Sequence, residues 1–188
     1  MPKTYVYHAK RPDFAGDRLY PLNTLRGRLP EVYAGAVKKY EGREWLLDAK
    51  VPILNALWND VIHFSLMHPF LICETLSAIG FEHHKYSREW FEVPVADVLA
   101  FPSIIYKNTR KNRSSRIFPE SDFEPVREER VLELSGMPER NLAYYRECFA
   151  DKTIPLIWGF APHVLLKGEL DISGYRTVNW MEPEKAGR

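Results

Sequence analysis

The sequence predicts an α+β fold in a single domain spanning residues 1–188, with a mixed or split antiparallel sheet and flanking helices. Short β-rich runs and helical patterns follow one another irregularly, without the βαβ succession typical of a parallel sheet. A chain of 188 residues is long enough to bury one hydrophobic core. No internal repeat and no linker-like stretch divides it.

The first elements are a strand and a helical segment. Thr4–His8 alternates in β-rich residues, so we predict a strand with His8 near its end. Residues 17–40 follow a helical pattern, in which Asn23 is a candidate cap and Pro30 opens a new run of apolar residues on one face.

The middle of the chain contains the clearest helix signal. Residues 51–65 hold two apolar runs separated by Asn59 and Asp60, which indicates an extended segment entering a buried strand. Pro69 begins a helical pattern that Gly80 ends. Further along we predict a strand at 89–93, a short helix at 94–100, a strand at 102–107, a helix from Pro138 to Phe149, and strands at 154–160, 163–167 and 175–180.

Composition limits the class of protein more than it indicates a function. The apolar fraction is 45% and the charged fraction 27%, which argues against disorder and against a coiled coil. The net charge is +1, so overall electrostatics point to no partner. The aromatic fraction is 13%, which favours a fold rich in loops and pockets.

The sequence also predicts a compartment. Charged residues interrupt the first 14 positions, and no apolar run approaches the roughly 20 residues that cross a bilayer. Cys73 and Cys148 form no Cys-x-x-Cys pair. We therefore expect a cytoplasmic protein with two buried thiols and no membrane contact.

Common catalytic motifs are missing. The chain contains no Gly-x-Gly-x-x-Gly, Walker loop, His-Glu-x-x-His or Gly-x-Ser-x-Gly sequence, which disfavours the enzyme classes that these motifs define. The spacing of the histidines does not predict a metal site, so we expect none. The histidines are His8, His63, His68, His83, His84 and His163.

Four segments of the chain form a further pattern. Tyr7-His8 ends the first strand, and Leu-Tyr-Pro-Leu at 19–22 follows. Residues 59–65, Asn-Asp-Val-Ile-His-Phe-Ser, precede the helix that begins at Pro69, and residues 162–169 form a late strand with an acid near its end. In this order the four segments resemble small bacterial ADP-ribosyltransferases, particularly the DNA-modifying toxins of the DarT kind. The resemblance implies an ADP-ribosyltransferase-like fold and NAD as the cofactor.

The resemblance also implies a binding site for NAD. The residues that it places around the nucleotide are Tyr7, His8, Tyr20, Arg26, His63 and Ser65. His8 would contact a ribose, Arg26 would meet phosphate, and the last two of the set would line the nicotinamide pocket. Tyr7 and Tyr20 would stack on the nicotinamide ring.

The expected reaction needs a carboxylate to hold the ribose and to help deprotonate the acceptor. The glutamate of the family would fall near His163, and the nearest acid is Glu169, so these two are the catalytic candidates. If neither Glu169 nor Asp60 reached the pocket, the chain could bind a nucleotide without transferring ADP-ribose.

Two alternative functions stay open. Residues 107–116 are basic and residues 120–129 mostly acidic, which predicts a mobile loop with halves of opposite charge. The basic half would suit nucleic-acid binding by an accessory protein. A metal-dependent hydrolase or nuclease would instead need His63, His68 and His163 to meet Asp60 or Glu169. For the first alternative, nucleic-acid binding through the basic half of the loop, the candidate contacts are Lys107, Arg110, Lys111 and Arg113. The oligomeric state is not predicted.

Overall fold

The computed structural model describes residues 3–82, 86, 88–109 and 116–183. Its strands are Tyr5–Ala9 (β1), Arg18–Leu19 (β2), Lys50–Val51 (β3), Ala56–Leu57 (β4), Ile62–Ser65 (β5), Glu89–Pro94 (β6), Ser103–Tyr106 (β7), Phe123–Pro125 (β8), His163–Leu166 (β9), Leu170–Asp171 (β10) and Thr177–Asn179 (β11). Its α-helices are Leu22–Arg28 (α1), Pro30–Val37 (α2), Pro69–Ile79 (α3), Val95–Val98 (α4), Glu128–Glu133 (α5) and Glu139–Ala150 (α6). Short 3-10 helices cover Lys38–Tyr40, Glu44–Leu47 and Glu120–Asp122.

One seven-stranded sheet organises the fold, in the order β11-β6-β1-β5-β9-β7-β8. Every strand pairing among the described residues is antiparallel. Two small ribbons, β2 with β10 and β3 with β4, lie outside this sheet. The predicted α+β class with an antiparallel sheet is therefore confirmed.

The two faces of the sheet bury different side chains because successive residues of a strand point in opposite directions. On the first face, Phe64 and Val164 pack with residues of α4, α5 and the β2–β10 ribbon. The second face carries Tyr7, Ser65, His163 and Tyr106, which are partners in the strand register and so lie in one row across the sheet.

Two separate apolar clusters cover the second face. The β9–β7–β8 side packs under the α1–α2 segment and the β3–β4 ribbon, with Trp58 in the cluster. The β1–β6 side packs under α3 and α6, with Trp90 and Tyr145 fully buried. The row that contains His163 lies between these clusters.

The helix α3 confirms the clearest local prediction. Pro69 occupies its first turn, where a missing N–H costs nothing, and His68 caps it by accepting a hydrogen bond from the Phe70 amide. The helix ends at Gly80, whose φ of 107° is left-handed. The predictions for β1, β6, β7, β9, β11, α4 and α6 are also confirmed within one or two residues at most of their ends.

The predicted strand at 154–160 is wrong, because these residues form turns. Side chains from other elements take the carbonyl groups that a strand would have paired. Tyr145 donates to the Ile157 carbonyl, and Asn141 donates to that of Gly159 at 2.6 Å. The apolar pattern of this segment therefore does not produce a strand: Ile157 and Trp158 are half-buried, whereas Ile154 and Leu156 are exposed.

Two further predictions need correction. Asn23 does not cap α1, because the helix begins one residue earlier, at Leu22. The side-chain amide of Asn23 instead donates a hydrogen bond to the Asp60 carboxylate at 2.7 Å. The acidic stretch 120–129 is not a loop, since it contains a 3-10 helix, β8 and the start of α5. β8 forms there because Phe123 is buried against β7, and α5 follows because Val131 packs into the core of the first face.

No helix in the described part of the chain combines the length and the apolar character that a membrane crossing requires.

Candidate functional site

The sheet opens between β1 and β5. These strands pair at a single position, Tyr7 opposite Ser65, whereas β1 pairs with β6 at five positions. A continued ladder would place Ala9 opposite His63, but no pair forms there. We call this opening, bounded by His8, Ala9 and His63, the β1–β5 fork.

Two of the predicted binding residues meet at the fork. Nδ1 of His8 lies 2.8 Å from the carbonyl oxygen of His63, so the imidazole takes the place of the missing backbone partner. Nε2 of His63 in turn lies 3.0 Å from the Trp58 carbonyl. Because carbonyls only accept, these atoms carry the protons, and His8 Nε2 and His63 Nδ1 are left as acceptors.

His163 lies beside His63, with 5.6 Å between the ring centroids. Its imidazole is 4% exposed and is surrounded by Trp158 at 5.6 Å, Trp58 at 5.8 Å and Tyr106 at 5.3 Å. Nδ1 bonds to the Ala161 carbonyl, and Nε2 is buried with no partner among the described residues. His163 is therefore an enclosed, neutral side chain next to the fork.

Lys39 lies near the fork on the helical side, and two further cations lie close to Lys39. Lys39, in the 3-10 helix after α2, is close enough to lower the pKa of both His8 and His63. Arg43 donates to the Lys39 carbonyl, and the guanidinium of Arg11 lies against α2 at Gly35. Among the residues that the structure describes, Asp13 is the counterion of Arg11, which it binds through two hydrogen bonds of 2.9 and 2.8 Å.

The pKa values of these groups reflect burial and like charge. Desolvation, together with Lys39, lowers the pKa of His8 to about 4, although the His63 carbonyl opposes this shift. Desolvation also lowers the pKa of His63 well below 6.5, with His163 and Lys39 adding to the effect. Desolvation and the charges of Arg43 and Arg11 lower the pKa of Lys39 to about 8. Lys39 is an exposed residue, so solvent reduces the contribution of desolvation and the two guanidinium groups gain in relative importance.

Tyr7 and Ser65 are adjacent to the fork but do not line it with His8. Tyr7 points to the second face, where its ring meets that of His68 at 5.0 Å. Ser65 is fully buried, and its hydroxyl both donates to the Met67 carbonyl and accepts from the Met67 amide. The structure therefore uses Ser65 to shape the turn into α3.

Tyr20, Arg26 and Glu169 belong to another part of the surface. Arg26 is exposed on α1. The guanidinium of Arg28 lies 5.0 Å from the Tyr20 ring and forms an ion pair with Glu169 at 3.2 Å. β9 ends at Leu166, so Glu169 is not on that strand.

The predicted nucleic-acid loop is only partly described. Lys107 is half-buried directly after β7, where its amide donates to the Asp122 carbonyl at 2.8 Å. Arg110, Lys111 and Arg113 lie outside the described residues. The structure therefore does not test the predicted interface.

The alternative set of metal ligands does not come together. Both carboxylate oxygens of Asp60 accept hydrogen bonds, from the Asn23 amide and the Leu57 backbone, and His68 caps α3. Within residues 3–82, 86, 88–109 and 116–183, no three His, Cys, Asp or Glu side chains lie close enough to hold a metal ion.

Three residues near the fork and the row that contains His163 were not predicted from the sequence. Lys39 and Arg43 are separated from His8 by about thirty positions, so no local pattern connects them. Glu92 is 5% exposed on β6, opposite Tyr7, and forms an ion pair with Arg176. The sequence pattern of β6 could have indicated that Glu92 is buried, because this residue shares its strand face with Trp90.

Comparison with protein-family models, with curated proteins and with solved structures gave no match.

Proposed function

We propose that the β1–β5 fork binds NAD or a related ADP-ribosyl nucleotide, and that the chain acts as an ADP-ribosyltransferase-like protein. One observation carries the proposal. The neutral imidazoles of His8 and His63 lie near Lys39, and of this lysine and its neighbours Arg43 and Arg11 only Arg11 forms an ion pair within the described part of the chain.

The cations favour a phosphate group. Lys39 brings a positive charge to the fork, Arg43 and Arg11 lie close to Lys39, and Asp13 neutralises Arg11. A phosphate held by Arg or Lys forms charge-assisted hydrogen bonds, which are about twice as strong as neutral ones. Repulsion from Arg43 and Arg11 contributes, after desolvation, to the lowered pKa of Lys39, and a bound anion would relieve that repulsion.

The imidazoles favour a sugar. His8 Nε2 and His63 Nδ1 are acceptors, whereas the cations around them can only donate. A ribose hydroxyl can donate to such a nitrogen while the adjacent phosphate takes up the positive charge. This combination suits a nucleotide better than a free phosphate ion.

Transfer of ADP-ribose requires a carboxylate as well as a bound nucleotide. Glu169 is the proposed acid, and in the structure its charge is engaged by Arg28. Transfer would therefore require that ion pair to open and Glu169 to move toward the fork, because it lies on another part of the surface in the structure. Glu169→Gln should abolish the release of nicotinamide from NAD while leaving the affinity for NAD within about threefold of wild type.

The binding step is best tested with two neighbouring lysines. Lys39→Glu should weaken the Kd for NAD at least about tenfold in calorimetric titration, because a carboxylate replaces a cation that faces the phosphate. Lys38→Glu is the matched control, since Lys38 is an exposed residue of the same 3-10 helix, and it should bind NAD like wild type.

Adenosine, which has no phosphate, should bind both variants equally weakly. If the two lysine variants bind NAD with the same affinity, or if wild type does not bind NAD at millimolar concentration, the proposed site is wrong.

A further inference from the structure

A cavity whose lining includes neither His8 nor His63 lies beside β1. It has a volume of about 390 Å³, within the range of about 300–1,000 Å³ that small-molecule sites occupy. β1 forms one wall through Tyr5 and Tyr7, while the start of α3 and the chain around α5 form the others. The proposed nucleotide site does not use this space.

The walls of the cavity are suited to an aromatic ring. Tyr5, Tyr7 and Phe70 contribute ring surfaces, and Leu71 and Val131 contribute aliphatic surface. Aromatic rings pack favourably in offset or edge-to-face arrangements, such as the one that Tyr7 already makes with His68.

The charge of the cavity is one-sided. Lys3 contributes to its lining, and none of the described lining residues carries a carboxylate. A ligand with a single negative charge would therefore meet attraction from Lys3 and no carboxylate among the lining residues, while Glu92, opposite Tyr7 on β6, has its charge balanced by Arg176.

From these observations, we propose that this cavity is a binding site for a small aromatic carboxylate, separate from the nucleotide site. The ring would occupy the space between Tyr5, Tyr7 and Phe70, and the carboxylate would lie toward Lys3. The site would take a compact molecule, because its volume is at the lower end of the ligand-binding range.

The contribution of the aromatic ring to binding can be distinguished from that of the negative charge with three probes: benzoate, benzamide and octanoate. Calorimetric titration of wild type should give a Kd for benzoate at least about tenfold lower than for benzamide, which has the ring without the charge. Octanoate, which has the charge without the ring, should also bind more weakly. Equal binding of benzoate and benzamide would overturn the role of the charge, and equal binding of octanoate would overturn that of the ring.

Three charge-changing variants locate the site. Lys3→Glu should weaken benzoate binding about tenfold and leave benzamide unaffected. Leu132→Glu adds a negative charge at a lining residue that is 58% exposed, so the fold should tolerate it, and it should have the same effect. Lys50→Glu, an exposed control on β3, should bind benzoate like wild type.

His8→Gln separates this proposal from the nucleotide site, because it should impair NAD binding and leave benzoate binding unchanged. If wild type does not bind benzoate at millimolar concentration, or if Lys3→Glu and Leu132→Glu both bind it like wild type, the inference is wrong.

Discussion

Glu92 is a carboxylate that the sheet removes almost entirely from water. Its side chain is 4% exposed, and its charge is balanced by Arg176, whose side chain is 43% exposed. A buried carboxylate without its partner would lose hydration without compensation, which is far more costly than the loss of a surface pair. Arg176 is therefore a structural residue of the row that contains Tyr7.

At the scale of single residues, we expect Arg176→Met to lower the free energy of unfolding by roughly 2–3 kcal/mol in urea titrations at neutral pH. Lys10→Met is the matched control, because it removes the partner of Glu89 on the same strand, in an exposed pair at 2.9 Å. That variant should cost less than about 1 kcal/mol. Adding Glu92→Gln to Arg176→Met should recover part of the loss, whereas equal costs for the two single variants would contradict this account.

At the scale of secondary-structure elements, the turn between β9 and β10 determines the position of Glu169. Gly168 has a φ of 147°, and a Cβ placed there would lie 2.9 Å from Cδ1 of Phe101. Only glycine fits both the backbone and the space, so the chain bends sharply after Leu166. The bend moves Glu169 off β9 and toward Arg28.

Gly168→Ala should therefore destabilise the protein by about 1–3 kcal/mol, measured as the free energy of unfolding in urea. Gly27→Ala in α1 is the control, since its Cβ would meet nothing within 4 Å and its φ is not left-handed. That variant should be neutral or stabilise by roughly 0.5 kcal/mol. Similar effects of both substitutions would show that the turn carries no strain.

Elements with local signals could be predicted from the sequence. Pro69 and Gly80 mark the ends of α3 through backbone properties that act within a few residues. Residues 154–160 could not be predicted in this way, because Tyr145, Asn141 and Asn108 take up the carbonyls of the segment from distant positions. Its aromatic and β-branched residues are typical of a strand, but tertiary hydrogen bonds determine the backbone conformation.

At the scale of the whole molecule, strand order creates the candidate site. β9 lies between β5 and β7 although about a hundred residues separate it from β5, and this order places His163 opposite Ser65 and beside His63. Spacing along the chain contains no information on that neighbourhood. The sequence therefore predicted His8 and His63 as candidates, but not the approach of Lys39 or the enclosure of His163.

This arrangement makes stability depend on pH. The pKa values of His8 and His163 are lowered to about 4, and that of His63 is also lowered, from an ordinary value of 6.5. Below about pH 6.5 the unfolded chain binds protons at these positions that the folded protein does not, so the free energy of unfolding falls as the pH falls. Above about pH 7.5 the three residues are neutral in both states and contribute no slope.

Between about pH 6.5 and pH 5 we expect urea titrations to show a loss of roughly 1 kcal/mol per pH unit for each of these histidines, in a range where most carboxylates stay ionised. His163→Asn keeps a donor for the Ala161 carbonyl but cannot titrate, so it should reduce the slope by about one third whatever it does to stability at pH 7.5. Leu165→Ala, a buried neighbour on β9, should lower stability at every pH and leave the slope unchanged. If wild type and His163→Asn show the same slope, His163 is not held neutral by its aromatic enclosure.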